Sequence, residues 1–238
     1  MERAAVIVGA TGGIGSALVE AIAASGKFSA VHAMSRILYR GTGNISAYAA
    51  DITDEQSVQR VAGVIAAGPA VSLVIVASGM LHSSGLTPEK SLRAIDPAAL
   101  ATLFAVNAIG PALIAKHFVP LLPKQGRSVF AALSARVGSI EDNRLGGWYS
   151  YRASKAALNQ LIRTLAIELK RTRPEAIALA LHPGTVITGL SKPFRGEASP
   201  PGTLQPQEAA AHLLAVIDAA IPEQSGHLLA WDGSRIPF

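Results

Sequence analysis

Two hydrophobic patterns alternate along the chain. One is a short, unbroken apolar run rich in β-branched residues, as in a strand buried on both faces. The other is a longer stretch whose apolar positions recur at helical spacing. "AAVIVGA" (Ala4 to Ala10) is the first strand, and Ile14 to Ser25 the first helix, stopped by Gly26. "SAVHAMS" (Ser29 to Ser35) and "ISAYAAD" (Ile45 to Asp51) predict the next two strands. Thr53 and Gln56 stand at capping-box spacing for a helix running to about Ala67. "VSLVIVASG" (Val71 to Gly79) is a fourth strand.

Asp96 followed by Pro97 predicts a helix start, a capping carboxylate and then proline in the first turn. That helix runs past Asn107 to about Phe118, and Gly110-Pro111 inside it should kink or divide it. "SVFAALS" (Ser128 to Ser134) is strand five, Trp148 to Thr172 a long helix, and "AIALALH" (Ala176 to His182) strand six. Gln207 to Ala220 is a last helix and "GHLLAW" (Gly226 to Trp231) a last strand. Such alternation implies a parallel sheet with helices on both faces, and right-handed crossovers make the fold a doubly wound α/β domain. At 238 residues the chain suits one domain, 1–238. Residues 188–206, "TGLSKPFRGEASPPGTLQP", have linker composition, and their length suggests a substrate lid.

Composition narrows the chemistry. There is no cysteine, which excludes disulfides, thiolate metal sites and a cysteine nucleophile, and is compatible with a reducing, cytoplasmic compartment. The N-terminus is too short and glycine-interrupted for a signal peptide. No uninterrupted apolar run reaches the roughly 20 residues of a membrane span, so a soluble protein with no membrane partner is expected. The six histidines show no ligand spacing, so no metal is expected. The formal charge is +5, but no basic cluster interleaves with aromatics, which argues against nucleic acid. An anionic cofactor is another use for that charge.

"VIVGATGGIG" sets Gly9, Thr11, Gly12, Gly13, Ile14 and Gly15 between the first strand and its helix. Glycines permit a sharp turn and close approach, and the helix N-terminus behind them suits a pyrophosphate. At the end of strand two stand Ser35 and Arg36, with no acid until Asp51. A missing carboxylate and a present guanidinium predict NADP(H) over NAD(H).

"YSYRASKAALNQL" carries Tyr151 and Lys155 four apart, on one helix face. An ordinary phenol, with a pKa near ~10, is a poor acid-base group at neutral pH. A nearby ammonium should lower that value and let Tyr151 exchange protons with a carbonyl or alcohol. Ser134, ending strand five, could orient the substrate oxygen. Asn107, next to Gly110-Pro111, could sit in an irregular turn whose free carbonyl holds a water for proton relay. Leu81, Ser83, Val137, Gly138, Trp148 and Leu190 are expected to line a mostly apolar substrate pocket, with His82 a candidate beside them.

Gly9-x-x-x-Gly13-x-Gly15 is similar to the glycine motif of the short-chain dehydrogenase/reductase family, with Val8 where Thr is common. With the later motifs the resemblance extends over essentially the whole chain. Asn107, Ser134, Tyr151 and Lys155 match the family's catalytic tetrad in order and context. Asp51-Ile52 look like the pair that meets the adenine ring. Ala77, Ser78 and Gly79, in "VASG", replace the family's "NNAG" and lack its amides. "HPGTVITG" supplies Pro183, Gly184, Val186 and Thr188, suited to framing the nicotinamide carboxamide. The tail "GHLLAWDGSRIPF" resembles the C-factor-like branch, whose members are named partly for a signalling role. The resemblance implies a Rossmann fold of about seven parallel strands, hydride transfer between nicotinamide and a carbonyl or alcohol, and homodimers or homotetramers. Asn107, Tyr151 and Lys155 would then also contact the cofactor. The alternative is a cofactor-binding regulatory protein with little turnover.

Overall fold

The computed structural model describes residues 2–195 and 202–238. Its centre is an eight-stranded sheet. The strands are β1 (Arg3–Val8), β2 (Ala30–Ser35), β3 (Ile45–Ala49), β4 (Ala70–Val76), β5 (Ser128–Leu133), β6 (Ala176–His182), β7 (Leu228–Ala230) and β8 (Arg235–Ile236). Their order is β3-β2-β1-β4-β5-β6-β7-β8. All neighbours pair in parallel except β7 and β8. β5 is buried throughout, and β1 and β4 are buried after their first residues, because helices cover both faces.

On one face α1 (Gly13–Ala24) and α7 (Pro206–Ala219) pack together, with Leu18, Ile22, Leu213 and Ile217 against Ile7, Ile75 and Leu179. On the other lie α2 (Glu55–Ile65), α3 (Pro97–Phe104), α4 (Gly110–Phe118) and α5 (Tyr149–Thr172). Here Val58, Ile65, Ile114, Phe118, Leu158 and Ile162 meet Val6, Val74 and Phe130. The chain leaves β1 for one face and β4 for the other. A crevice therefore opens between them at the carboxyl ends of the strands, the usual ligand position in such sheets.

Several local expectations need correction. The cap of α2 is Asp54, whose carboxylate accepts from Gln56 N at 3.0 Å; the Thr53 hydroxyl instead donates to Asp51 at 2.7 Å. Asp51 is an acceptor two residues back, so Thr53 closes a local turn and is unavailable as a cap. The irregularity between Asp96 and Phe118 begins before the proline. Residues Ala105–Ile109 form a π-turn in which Gly110 N reaches back to Ala105 O. Pro111 has no N–H, so one carbonyl of this turn lacks its helical donor. The helical run Pro97–Leu121 is continuous, and by length and composition it is apolar enough to cross a membrane, although Asn107, Lys116 and His117 interrupt its apolar sequence. It packs against α2 and α5, and Asn107 within it is fully buried. The short antiparallel β8 was not expected; it follows a turn in which Asp232 accepts from Ser234 N and Oγ.

Candidate active site

The crevice is built first by backbone. The chain leaves β1 through Gly9 at φ +85°, where a Cβ would lie 2.7 Å from Ser78 N. A Cβ on Gly15 would stand 2.1 Å from Gly9 O, so the turn and the start of α1 close on each other only with glycine at both places. Helix α1 has neither a side-chain cap nor an acid in its first turn. Its first intrahelical bond is Ser16 N to Gly12 O at 2.8 Å, which leaves the N–H groups of Gly13, Ile14 and Gly15 directed out of the helix end. This cradle fits an anionic pyrophosphate.

Two cavities meet at that turn, and Thr11, Gly12, Ala77, Ser78 and Gly79 line both. The first, about 300 Å³, extends over Ser35, Arg36, Asp51 and Ile52. Arg36 is exposed at its rim, and Ser35 Oγ donates to Ile37 O at 2.6 Å. Asp51 accepts from Thr53 N and Oγ1, which together with Arg36 hold its carboxyl below the ordinary range. No carboxylate stands between the end of β2 and the start of β3, and Arg36 is the first residue after β2. The glycine cradle and this cleft together fit a dinucleotide.

The second cavity, about 400 Å³, holds the polar cluster: Ser134, Tyr151 and Lys155 line it with Pro183, Thr188, Gly189 and Leu190. The Lys155 ammonium donates to Leu133 O at 2.8 Å and lies 6.0 Å from the centre of the Tyr151 ring. Burial lowers Lys155 to about 8. Burial also raises the Tyr151 phenol above its ordinary value, opposite to the depression expected from its cationic neighbour. Desolvation of a fully enclosed phenolate outweighs an ammonium at this separation. The chain by itself thus holds Tyr151 protonated, the state of a proton donor.

Asn107 stands behind the cavity. Its Oδ1 accepts from Met80 N and its Nδ2 donates to Met80 O, both at 2.8 Å, and Nδ2 also reaches Ser154 Oγ at 3.1 Å. The amide is thereby committed to the loop after β4, where "VASG" lacks amides of its own. Gly79 separates Asn107 from Lys155: a Cβ there would be 3.6 Å from both Oδ1 and Nζ. What Asn107 can offer the site is main chain, from the π-turn.

An aromatic roof covers the phenol. Trp148 meets Tyr151 edge-on at 6.2 Å and Phe194, on the short helix α6 (Lys192–Arg195), at 5.2 Å. His82 packs against Phe194, and its Nε2 donates to the carbonyls of Gly189 and Leu190 at 3.3 and 3.2 Å. Thr188 overhangs the glycine turn, 2.9 Å from where a Cβ of Gly13 would be. Residues 196–201 of the expected lid lie outside the described residues; its far end returns through a parallel bridge between Val186 and Leu204.

Some expected lining residues are elsewhere. Leu81 is buried in a small core with Leu86, Leu103 and Tyr151 and is absent from the cavity lining. Val137 packs on that same core. Gly138 faces away, with a would-be Cβ 2.7 Å from Lys155 Cβ, so its role is to let α5 approach. Ser83 pairs with Leu86 in an isolated bridge. Gly184, at φ +78°, abuts Trp231, and Val186 is buried, so neither lines the described cavities.

Two residues were missed. Asn159 is buried on the same helix face as Tyr151 and Lys155; it accepts from Ser134 Oγ at 2.6 Å and donates to Gly138 O at 3.2 Å. Its four-residue spacing from Lys155 was a usable signal. Glu89 is buried against the start of α5, bonded to Ser150, and nothing in its local sequence announces this.

The family described as short chain dehydrogenase matches residues 3–198. C-signal of Myxococcus xanthus is 34% identical over 145 residues, 60% of this chain and 81% of that protein. A 1-hydroxy-2-glutathionyl-2-methyl-3-butene dehydrogenase of Rhodococcus is 32% identical over 188 residues, 79% of this chain and 78% of its own. Among solved structures, the NADPH-bound carbonyl reductase from chicken fatty liver superposes with a TM-score of 0.86 at 24% identity, covering 100% of this chain and 99% of that one. A carbonyl reductase from Pseudomonas aeruginosa does so at 0.79 and 26%, covering 100% of both.

Proposed function

This chain belongs to the short chain dehydrogenase family of oxidoreductases, and from that premise we propose that it interconverts a carbonyl compound and its alcohol with NADP(H), using Tyr151 as the acid-base group. The observation that carries the proposal is the buried pair Tyr151 and Lys155, lining one cavity with Ser134 and the glycine cradle.

A reduced nicotinamide bound in this cleft supplies a hydride. The chain does the rest. The glycine turn and the open end of α1 bind the pyrophosphate, Arg36 takes the 2′-phosphate, and Asp51-Ile52 border the adenine. Pro183 and Thr188, in the segment after β6, line the cavity where the carboxamide would sit, while Gly184 and Val186 shape that segment from behind. The Tyr151 hydroxyl donates to the substrate oxygen, and Ser134 joins it by turning its one O–H from Asn159 Oδ1 to that oxygen. As the carbonyl carbon gains the hydride, Tyr151 passes its proton to that oxygen. Lys155, with a water held at the main chain of the π-turn, restores the proton and holds the nicotinamide ribose. The roof of Trp148, Phe194, Leu190 and His82 excludes water and favours an apolar carbonyl compound.

The test is to incubate the protein with NADPH and a panel of aldehydes and ketones while following nicotinamide absorbance. Substrate-dependent loss of NADPH supports the proposal. The likeness to C-signal favours a second reading, in which cofactor binding serves regulation with little turnover. Tight NADPH binding with no oxidation across the panel would select it.

Assembly as a homodimer or homotetramer is part of the proposal. It draws support from an apolar groove of about 480 Å³ between α4 and α5, lined by Pro111, Ala115, Val119, Leu161 and Leu165. Sedimentation of the full chain checks it.

A further inference from the structure

Helix α5 starts without a capping side chain of its own. Trp148, at the N-cap position, has φ +52° and makes no side-chain cap bond. The cap comes from 61 residues upstream: Ser150 N donates to Glu89 Oε2 at 3.2 Å. Ser150 Oγ donates to the other carboxylate oxygen, and Trp148 N donates to the main-chain carbonyl of Glu89 at 2.5 Å. Glu89 is 5% exposed and Ser150 fully buried, and among the described residues the carboxylate has no ion-pair partner. A carboxylate is stabilised there by the free N–H groups and positive end of the helix. The next residue is Tyr151.

We propose that Glu89 is a positioning residue for Tyr151: it fixes the first turn of α5, and its charge opposes ionisation of the phenol. The positive end of a helix favours a nearby phenolate, and a carboxylate seated on that end counters it. Of the other charged or titratable groups, Lys155 lies one turn on along α5, Arg152 is turned to the carbonyls of Gly147 and Val137, and His82 packs on Phe194 of the roof. Those facing the phenol from β5 and from the segment after β6, Ser134 and Pro183 to Leu190, carry no charge. Glu89 is thus an acidic group bonded directly at this turn. It favours the donor state that carbonyl reduction requires, so the inference rests on the role proposed for Tyr151.

Glu89→Gln keeps an acceptor for Ser150 N and removes the charge. With saturating NADP⁺, whose positive ring favours the phenolate, ultraviolet difference spectra of each protein against its Tyr151→Phe counterpart report ionisation of this one phenol. In Glu89→Gln the midpoint should fall by about one pH unit, with NADPH affinity unchanged. The alkaline limb of carbonyl reduction should move down with it. Glu89→Ala, which also loses the cap, should lower kcat by roughly 10–100-fold with little change in NADPH affinity. An unshifted midpoint in Glu89→Gln overturns the inference. A wild type that reduces no carbonyl compound counts against the proposed reaction instead, and the spectral titration still decides the part played by Glu89.

Discussion

Replacing Lys155 by methionine should abolish turnover and at the same time stabilise the fold. Lys155 is 3% exposed, and among the described residues its ammonium has one hydrogen bond, to Leu133 O at 2.8 Å. Burial lowers its value from 10.5 in the open chain to about 8. At about 1.4 kcal/mol per unit, the charged form is about 3 kcal/mol worse off in the folded chain than in the unfolded one. Methionine keeps the apolar stem and removes the charge, but leaves a lone pair of the Leu133 carbonyl unmatched, at about 1 kcal/mol. The net gain at neutral pH is about 2 kcal/mol. The pH dependence identifies the source. Because the folded value is depressed, the folded chain releases this proton before the unfolded chain does. Stability is therefore lowest below about 8 and rises through the window toward 10.5. Tyr151 acts oppositely only above its ordinary value of 10, where the unfolded chain ionises first. Urea unfolding of both proteins at about pH 7 and about pH 9.5 is the assay. The wild type should gain about 2 kcal/mol relative to the variant between those conditions. A difference that stays constant, or a variant less stable at neutral pH, refutes a buried charged lysine.

Three further substitutions probe the cleft. Gly15→Ala would set a Cβ 2.1 Å from Gly9 O, so the cradle must open; NADPH affinity by fluorescence titration should fall at least ~10-fold, with ~1–3 kcal/mol of stability. Arg36→Ala should weaken NADPH by roughly 10–100-fold, the worth of a charge-assisted hydrogen bond, and leave NADH unchanged; equal losses for both cofactors would contradict a 2′-phosphate contact. Asn159→Leu frees the Ser134 hydroxyl and orphans Gly138 O; melting should register ~1–3 kcal/mol of destabilisation, and kcat should fall about 10-fold with NADPH affinity intact.

The doubly wound sheet was legible because parallel strands buried on both faces must be continuous apolar runs, and β1, β4, β5 and β6 are such runs. The glycine turn was legible for a steric reason: Gly9 and Gly15 occupy positions where no Cβ fits. Tyr151 and Lys155 were legible as one helix face, yet the direction of the phenol's shift was not, since pairwise spacing says nothing of how far each group leaves water. The cap of α2 was misassigned because Asp51, two residues before Thr53, captures its hydroxyl. Glu89 was out of reach altogether: its partner Ser150 is 61 residues away, and only the tertiary fold brings a carboxylate to the end of α5.

The central claim is that the phenol of Tyr151 gives its proton to a carbonyl held beside a bound nicotinamide. Tyr151→Phe, measured with NADPH and any carbonyl compound the wild type reduces, tests it most directly. Turnover should fall by roughly 10²–10⁴-fold while the NADPH dissociation constant stays within about twofold. A phenylalanine variant that reduces the same compound at the wild-type rate would contradict it.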